Sequence, residues 1–437
     1  MAKYYYIACV LYIFLASCSP VRTITKAERF FLNDTAVKNA HVGISIYDAG
    51  KAKYVYNYQG DHYFTPASNT KLFTCYVAMK HLGDSIIGLK YYQTADTLYL
   101  LPTADPTLLY RDFTVNPVIN FLSRNKKPVS ISDAYWKDHR WGEGWSWDDY
   151  MEDYIAERNS MPVYGNVAHT TFTYDSVNNV THFVQAPDVT SSVSYTVNGN
   201  LQKPSIYRSI SADSFSIQYP KNNIEWKSDV PFITNNIYTA VKLVGNKNWV
   251  VSHSEAPFVL TQYKKLYSQA LDSMLKPMMY RSDNFYAEQS LLMVSNELLG
   301  YMNDRAVIDS LIKTDLKDLP QQPSWVDGSG LSRFNLFTPE DLVTLLIKMK
   351  NEFGLQRMQN VLPKGNTGTL EDRYIKVGNN IFAKTGTLNG VVALSGYLVC
   401  KSGKLVLFSV LVNNHNDKAS AVRSAIEKFI TGIWEKY

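Results

Sequence analysis

Three small groups of residues are of the types and spacings that do acyl-transfer chemistry. Ser68 and Lys71 lie three apart in PASNTK, Ser282-Asp283-Asn284 are contiguous, and Lys384-Thr385-Gly386 is followed by Thr387. A serine hydroxyl holds its proton tightly and needs a base to become a nucleophile. Lysine can be that base when burial or a neighbouring cation lowers its pKa. On a helix, residues i and i+3 share a face, so Ser68 and Lys71 could touch. Pro66 favours a first helical turn here, which sets Ser68 near free backbone N–H groups and the positive end of the dipole.

Each group alone is a weak signal. S-x-x-K occurs at Ser68/Lys71, Ser123/Lys126, Ser273/Lys276 and Ser310/Lys313, and S-x-N at Ser123, Ser176 and Ser282. K-T-G occurs once. Ser68 by itself reads equally as a serine that opens a helix. The elements around the three groups separate them from the other copies.

HVGISIYDAGKAKYVYNYQ has two β-rich runs about a Gly50 turn, a hairpin just before PASNTK. A helix follows, with Gly83 as its C-cap. Ser282-Asp283-Asn284 opens a second helix, NFYAEQSLLMVSNELLG, and Lys384-Thr385-Gly386 ends a strand in IFAKTGTLNGVVALSGYLVCKSGKLVLFSVLVNN. That tail reads as three antiparallel strands, followed by an amphipathic helix over Ala421–Trp434. Further helices are expected over Ile24–Ala40, YKKLYSQALDSMLKPM, AVIDSLIKT and TPEDLVTLLIKMKN, the last with Thr338 as N-cap and Pro339 at N1. From about Ile86 to Ser268 short strand-like runs alternate with turns. One helical-looking stretch, WDDYMEDYIAERN, interrupts them behind a Trp-rich segment, Trp136 to Trp147. Asp327-Gly328-Ser329-Gly330 reads as a tight turn before a helix, or as part of an active-site rim.

Composition narrows the function classes. With 46% hydrophobic and 19% charged residues the chain is globular rather than disordered. A net charge of +5, with no long Lys/Arg run, gives no reason to expect nucleic acid. MAKYYYIACVLYIFLASC has one basic residue and an apolar run too short to span a bilayer, as in a signal peptide over residues 1–17. Its L-A-S-C ending is similar to a bacterial lipoprotein signal, in which Cys18 is lipidated and anchors the mature protein. Cys75 and Cys400 read as buried apolar side chains. No Cys/His cluster has metal-ligand spacing, so neither a metal nor another cofactor is expected. The eight histidines show no mutual spacing, and G-x-S-x-G is absent.

S-x-x-K, S-D-N and K-T-G in this order resemble the motifs of penicillin-recognising serine enzymes. With the long excursion between Lys71 and Ser282, the sequence resembles the D-alanyl-D-alanine carboxypeptidase/endopeptidase family, the class C low-molecular-mass penicillin-binding proteins. ADPTLL, WSWDDYMEDYIAERNSMPVYGN, SDNFYAEQ, DGSGLSRFN and AKTGT carry the resemblance over most of the chain. It implies an α/β (α+β) fold: a β-lactamase/transpeptidase-like domain over residues 24–85 and 269–437, its antiparallel sheet flanked by helices, with β-rich inserted domains over 86–268. It also implies roles. Ser68 attacks the D-Ala–D-Ala carbonyl and Lys71 takes its proton. Ser282 relays a proton to the leaving amine, and Asn284 holds the substrate amide and Lys71. Lys384 and Thr385 bind the substrate carboxylate, and the N–H groups of Ser68 and Thr387 form the oxyanion hole. Gly386 leaves room for substrate along the strand. The expected partners are peptidoglycan stem peptides in the periplasm and β-lactams as acylating inhibitors. A β-lactamase or esterase of the same fold, and a non-catalytic cell-wall-binding lipoprotein, are the other readings.

Overall fold

The computed structural model describes residues 29–234, 237–245 and 248–437. The leader, Cys18 and residues 24–28 of the expected first helix lie outside the described residues. Packing divides the chain into two compact units.

The first unit comprises Thr70–Asp318 and Ser324–Asn335. Four of its helices are α1 (Lys71–His81), α2 (Leu271–Tyr280), α3 (Asn284–Leu299) and α4 (Asp304–Lys313). Residues 71–79 of α1 and 285–296 of α3 are buried without a break. A helix enclosed on all sides holds its side chains in fixed places, which suits elements that carry reacting groups. Asp283 caps α3 by accepting from Tyr286 N (3.0 Å), and Gly300, at φ 78°, ends it in the left-handed region.

Between α1 and α2 the chain builds three sheets. A five-stranded one runs Trp249–Ser252, Val129–Ser132, Leu98–Pro102, Ser85–Gln93, Lys264–Ala270. Leu89, Leu98, Leu100, Val129, Ile131 and Phe232 belong to its core. The two others have three strands each and share a small core of Phe172, Tyr174, Ile217 and Tyr219.

Of the helices read from the sequence, one starts late and one is absent here. Lys264–Ala270 is a strand whose Leu266 pairs with Leu89, and the helix begins only at Leu271. The edge of Ser85–Gln93 offers hydrogen bonds that override local helical pattern. WDDYMEDYIAERN forms only two 3₁₀ turns, Trp147–Asp149 and Asp153–Ile155. Its tail is extended because it reaches into the interior: Arg158 N donates to Arg140 O (2.7 Å), and Ser160 O accepts from Ala104 N (2.8 Å).

The second unit comprises residues 29–69, Leu319–Pro323 and Leu336–Tyr437. Its sheet contains β1 (His41–Asp48), β2 (Lys53–Tyr58), β3 (Ile381–Leu388), β4 (Val391–Val399) and β5 (Leu405–Asn413), in the order β3-β4-β5-β1-β2 and antiparallel throughout. The hairpin thus pairs with the last strand through β1. The helices of this unit are α5 (Pro339–Phe353), α6 (Leu355–Val361) and α7 (Ala419–Lys436). Both faces of the sheet are covered, which explains the near-continuous apolar runs of β4 and β5. On one face Ile426, Phe429, Ile430 and Ile433 of α7 join Val392, Leu394, Phe408 and Val410. Towards α5, Tyr397 donates its hydroxyl to Leu346 O (2.7 Å). Thr338 caps α5 in a capping box with Asp341. The helix expected over Ile24–Ala40 is helical only at 29–32 among the described residues, then turns. Asp34 draws it out of the helix by accepting from Ala36 N (3.0 Å), a local bond that competes with helical pairing.

Candidate active site

The buried centre of the first unit is Lys71. Its side chain is fully enclosed, and Nζ donates to Asn284 Oδ1 (2.6 Å) and to Ser329 O (2.8 Å). Burial disfavours the ammonium and lowers the pKa to about 8, against the pull of Asp327, Glu288 and Asp283, which favour the charged form. Lys71 and the Asn of the second motif are therefore in direct contact.

The layer beneath Lys71 is made of residues that the motifs do not name. Asp327, fully buried, accepts from Gly330 N (2.7 Å), Ser332 N (2.7 Å), Asn335 Nδ2 (2.8 Å) and Trp145 Nε1 (3.0 Å). Asp327-Gly328-Ser329-Gly330 is a turn folded around its own carboxylate, and α5 starts only after it, at Pro339. Ser329 supplies the carbonyl that Lys71 uses. Its N–H donates to Glu288 Oε1 (2.7 Å), and Glu288 Oε2 accepts from Arg158 Nη1 (3.2 Å). Arg158 also binds Asp304 (2.6 Å) and Asp138 (3.1 Å). Burial, then Asp327, pushes the Glu288 carboxyl up, and Arg158 pulls it back. In the sequence Asp327 and Ser329 stand out only as part of a turn or an active-site rim, and Glu288 does not stand out at all. A Glu set among the apolar positions of the expected helix is the available signal, since buried carboxylates persist only with partners.

Ser282 has φ +60°, in the left-handed region that non-glycine residues rarely adopt. The turn is held by Asp283, whose N–H donates to Met278 O (3.1 Å) and whose Oδ2 accepts from Tyr110 Oη (2.8 Å). Asn284 Nδ2 donates to Tyr154 O (2.9 Å), which fixes the amide so that its oxygen faces Lys71. A cavity of about 510 Å³ opens beside Ser282 and Asn284, walled by Tyr110, Tyr154, Tyr164, Arg111 and Asp229.

In the second unit Ser68 sits in the 3₁₀ turn Ala67–Thr70, from which the chain runs directly into α1. Ala67 before it is also left-handed, at φ +47°. Lys384, Thr385, Gly386 and Thr387 lie along β3 rather than at its end. Lys384 is fully buried with Nζ donating to Thr385 O (2.7 Å), and exposed Thr387 accepts from Arg423 Nη2 of α7 (2.7 Å). A Cβ on Gly386 would stand 2.6 Å from Pro66 O and 3.1 Å from Ser68 N. The absent side chain therefore lets the Ser68 turn lie against β3, a reason that the spacing of motifs did not reveal.

Three comparisons bear on this geometry. The model of the D-Ala-D-Ala carboxypeptidase 3 (S13) family matches residues 27–219 and 248–433. The chain belongs to this family. It is a serine peptidase, with a hydrolase's chemistry. Among curated relatives, the D-alanyl-D-alanine carboxypeptidase of Actinomadura sp. (strain R39) is 26% identical over 90% of this chain and 82% of that protein. The D-alanyl-D-alanine carboxypeptidase DacB of Haemophilus influenzae is 23% identical over 87% and 86%. Among solved structures, penicillin binding protein 4 (dacB) from Haemophilus influenzae superposes with a TM-score of 0.74 at 19% identity, covering 94% of this chain and 98% of that one. The S13 chain described here shares that fold, and another structure of that protein is a complex with a β-lactam.

Proposed function

We propose that the chain is a serine-type D-Ala-D-Ala carboxypeptidase, with endopeptidase action on cross-links, that works on peptidoglycan stem peptides. The observation that carries this reading is Lys71, a fully buried lysine with its pKa lowered to about 8 and its Nζ on Asn284 Oδ1. Such a lysine is neutral often enough near neutral pH to act as a base.

In this mechanism Lys71 takes the proton of Ser68, whose Oγ attacks the carbonyl of the D-Ala–D-Ala bond. The N–H groups of Ser68 and Thr387 receive the charge that develops on the carbonyl oxygen. Ser282 passes a proton to the leaving amine, while Asn284 holds the substrate amide and Lys71. Lys384 and Thr385 bind the free carboxylate of the substrate. Water then releases the acyl group from Ser68. A β-lactam acylates the same serine, in keeping with the β-lactam complex of the Haemophilus relative. Residues 24–85 and 269–437 form the catalytic domain in this reading, and 86–268 are insertions.

The test is labelling with a fluorescent penicillin, together with mass identification of products from purified muropeptides. Wild-type protein should be labelled and should release D-Ala or open cross-links. Ser68→Ala should do neither, and labelling that survives in it would remove Ser68 as the nucleophile.

We also propose that residues 1–17 are removed and that Cys18 is lipidated, which would hold the enzyme at a membrane on the periplasmic side. No helix among the described residues is long and apolar enough to cross a membrane. Cys18→Ser should move the protein from the membrane to the soluble fraction, and unchanged partition would exclude the anchor.

A further inference from the structure

Trp147 is 74% exposed and Tyr207 56% exposed, and both edge one groove of about 900 Å³ in the first unit. Trp226 and Tyr150 extend the same aromatic wall. Large aromatic faces left in water, clustered in one concave place, mark a binding surface more often than a core. This groove is also held in shape. Tyr150 donates its hydroxyl to Arg208 O (2.8 Å), Arg208 Nη2 donates back to Tyr150 O (3.2 Å), and Arg208 N donates to Met151 Sδ (3.3 Å). The turn Trp147–Asp149 is thereby fixed against the strand Ser205–Arg208.

The chemistry of the lining selects an occupant. Asp148 and Glu152 stand along the groove, and its lysine, Lys227, is paired with Glu225 (2.6 Å). The surplus of carboxylates repels anionic polymers such as nucleic acid or polyphosphate. Carboxylates accept hydrogen bonds from hydroxyl and amide groups, while the C–H faces of sugar rings stack on indole and phenol rings. Asp153 and Asp229 line both this groove and the cavity beside Ser282 and Asn284, so the two depressions are neighbours.

We propose that this groove binds the glycan strand that carries the stem peptide, a polymer of N-acetylated amino sugars. The proposal rests on the peptidoglycan reading above for its choice of sugar polymer. A stem peptide is covalently attached to its glycan, and a groove that neighbours the Ser282 cavity can hold the strand while the peptide enters.

The test uses the full chain and the double variant Trp147→Ala/Tyr207→Ala. Chitohexaose binding is followed by calorimetry, and hydrolysis is measured for a stem peptide with and without its attached tetrasaccharide. The variant should lose about tenfold or more in chitohexaose affinity, and its KM for the glycan-linked peptide should rise by a similar factor. Its penicillin acylation and its kcat/KM for the free peptide should stay within about twofold, which reports an intact fold and site. Chitohexaose binding that is unchanged in the variant, or absent in the wild type, would overturn the proposal. So would a groove ligand whose binding collapses between ~50 and ~500 mM salt, the mark of a cationic partner. Sugar binding without any penicillin acylation would instead count against the catalytic reading and leave the groove standing.

Discussion

Lys71 and Lys384 are both fully buried ammonium-bearing residues, and their surroundings differ in kind. Lys71 stands on a helix enclosed on all sides, above a layer of buried carboxylates that reaches from Asp327 through Glu288 to Arg158. Two of its partners are neutral oxygens, Asn284 Oδ1 and Ser329 O. Lys384 stands on a strand and donates to the carbonyl of the next residue, Thr385. Burial lowers the first lysine to about 8, within reach of a proton taken and returned in turnover. We assign the second a fixed charge that receives the substrate carboxylate. In the proposed mechanism one fold would use the same side chain for a titrating task and for an anchoring one, with the layer around each deciding which.

The largest effect should come from replacing each lysine by a cation that does not titrate. Lys71→Arg keeps the charge and removes the base, and penicillin acylation should fall by about 10³-fold, the scale of general-base loss. Lys384→Arg keeps what an anchor needs, and should cost about tenfold through changed hydrogen-bond geometry. Stopped-flow acylation with unfolding curves for both proteins makes the measurement. If the two variants lose equally, the distinction between base and anchor fails.

Next in size is Gly386→Ala, which tests the strand alone. Its methyl would stand 2.6 Å from Pro66 O, a backbone atom that cannot swing aside. The expected cost is roughly 1–3 kcal/mol of stability, as for other overpacked sites. Displacing the Ser68 turn by a fraction of an ångström should slow acylation by up to about 10²-fold. An alanine variant with wild-type rate and melting temperature would show that β3 and the Ser68 turn need no such closeness.

The comparison also explains what could be read from sequence. Both lysines were legible, because each sits in a short motif whose neighbours along the chain set its element: Pro66 before the Ser68 turn and the helix after it, and the strand-like run IFAKTGT around Lys384. What surrounds Lys71 was not legible. Glu288 meets Ser329 across 41 residues and Arg158 across 130, and no local pattern encodes such pairs. WDDYMEDYIAERN fails as a helix for the same reason, since Arg158 is drawn to carboxylates on α3 and α4. Lys264–Ala270 fails because its partner strand lies far back in the chain. Residues 220–247, which the family model does not match, include the whole strand Ile224–Pro231, whose partner is Val167–Asp175. Such small sheets take their register from distant partners and carry weak sequence signals of their own.

The smallest expected effect is the most specific to the layer beneath Lys71. Burial and Asp327 push the Glu288 carboxyl up, but both its oxygens accept from donors, Ser329 N–H and Arg158 Nη1, and these contacts favour the carboxylate. The negative charge favours protonated Lys71. In Glu288→Gln that support is gone, so Lys71 should lose its proton at lower pH. Acylation requires neutral Lys71 and therefore rises with pH through the lysine's pKa. The rising limb, centred at about 8 in the wild type, should move to lower pH by about 0.5–1 unit in the variant. Stability should fall as well, since the amide turns a donor towards Ser329 N–H or Arg158, a loss of about 1–3 kcal/mol. The two readouts separate the roles. A lower melting temperature with an unmoved limb would make Glu288 a structural brace only, whereas a limb displaced acidward would make the carboxylate part of what sets the proton affinity of the base.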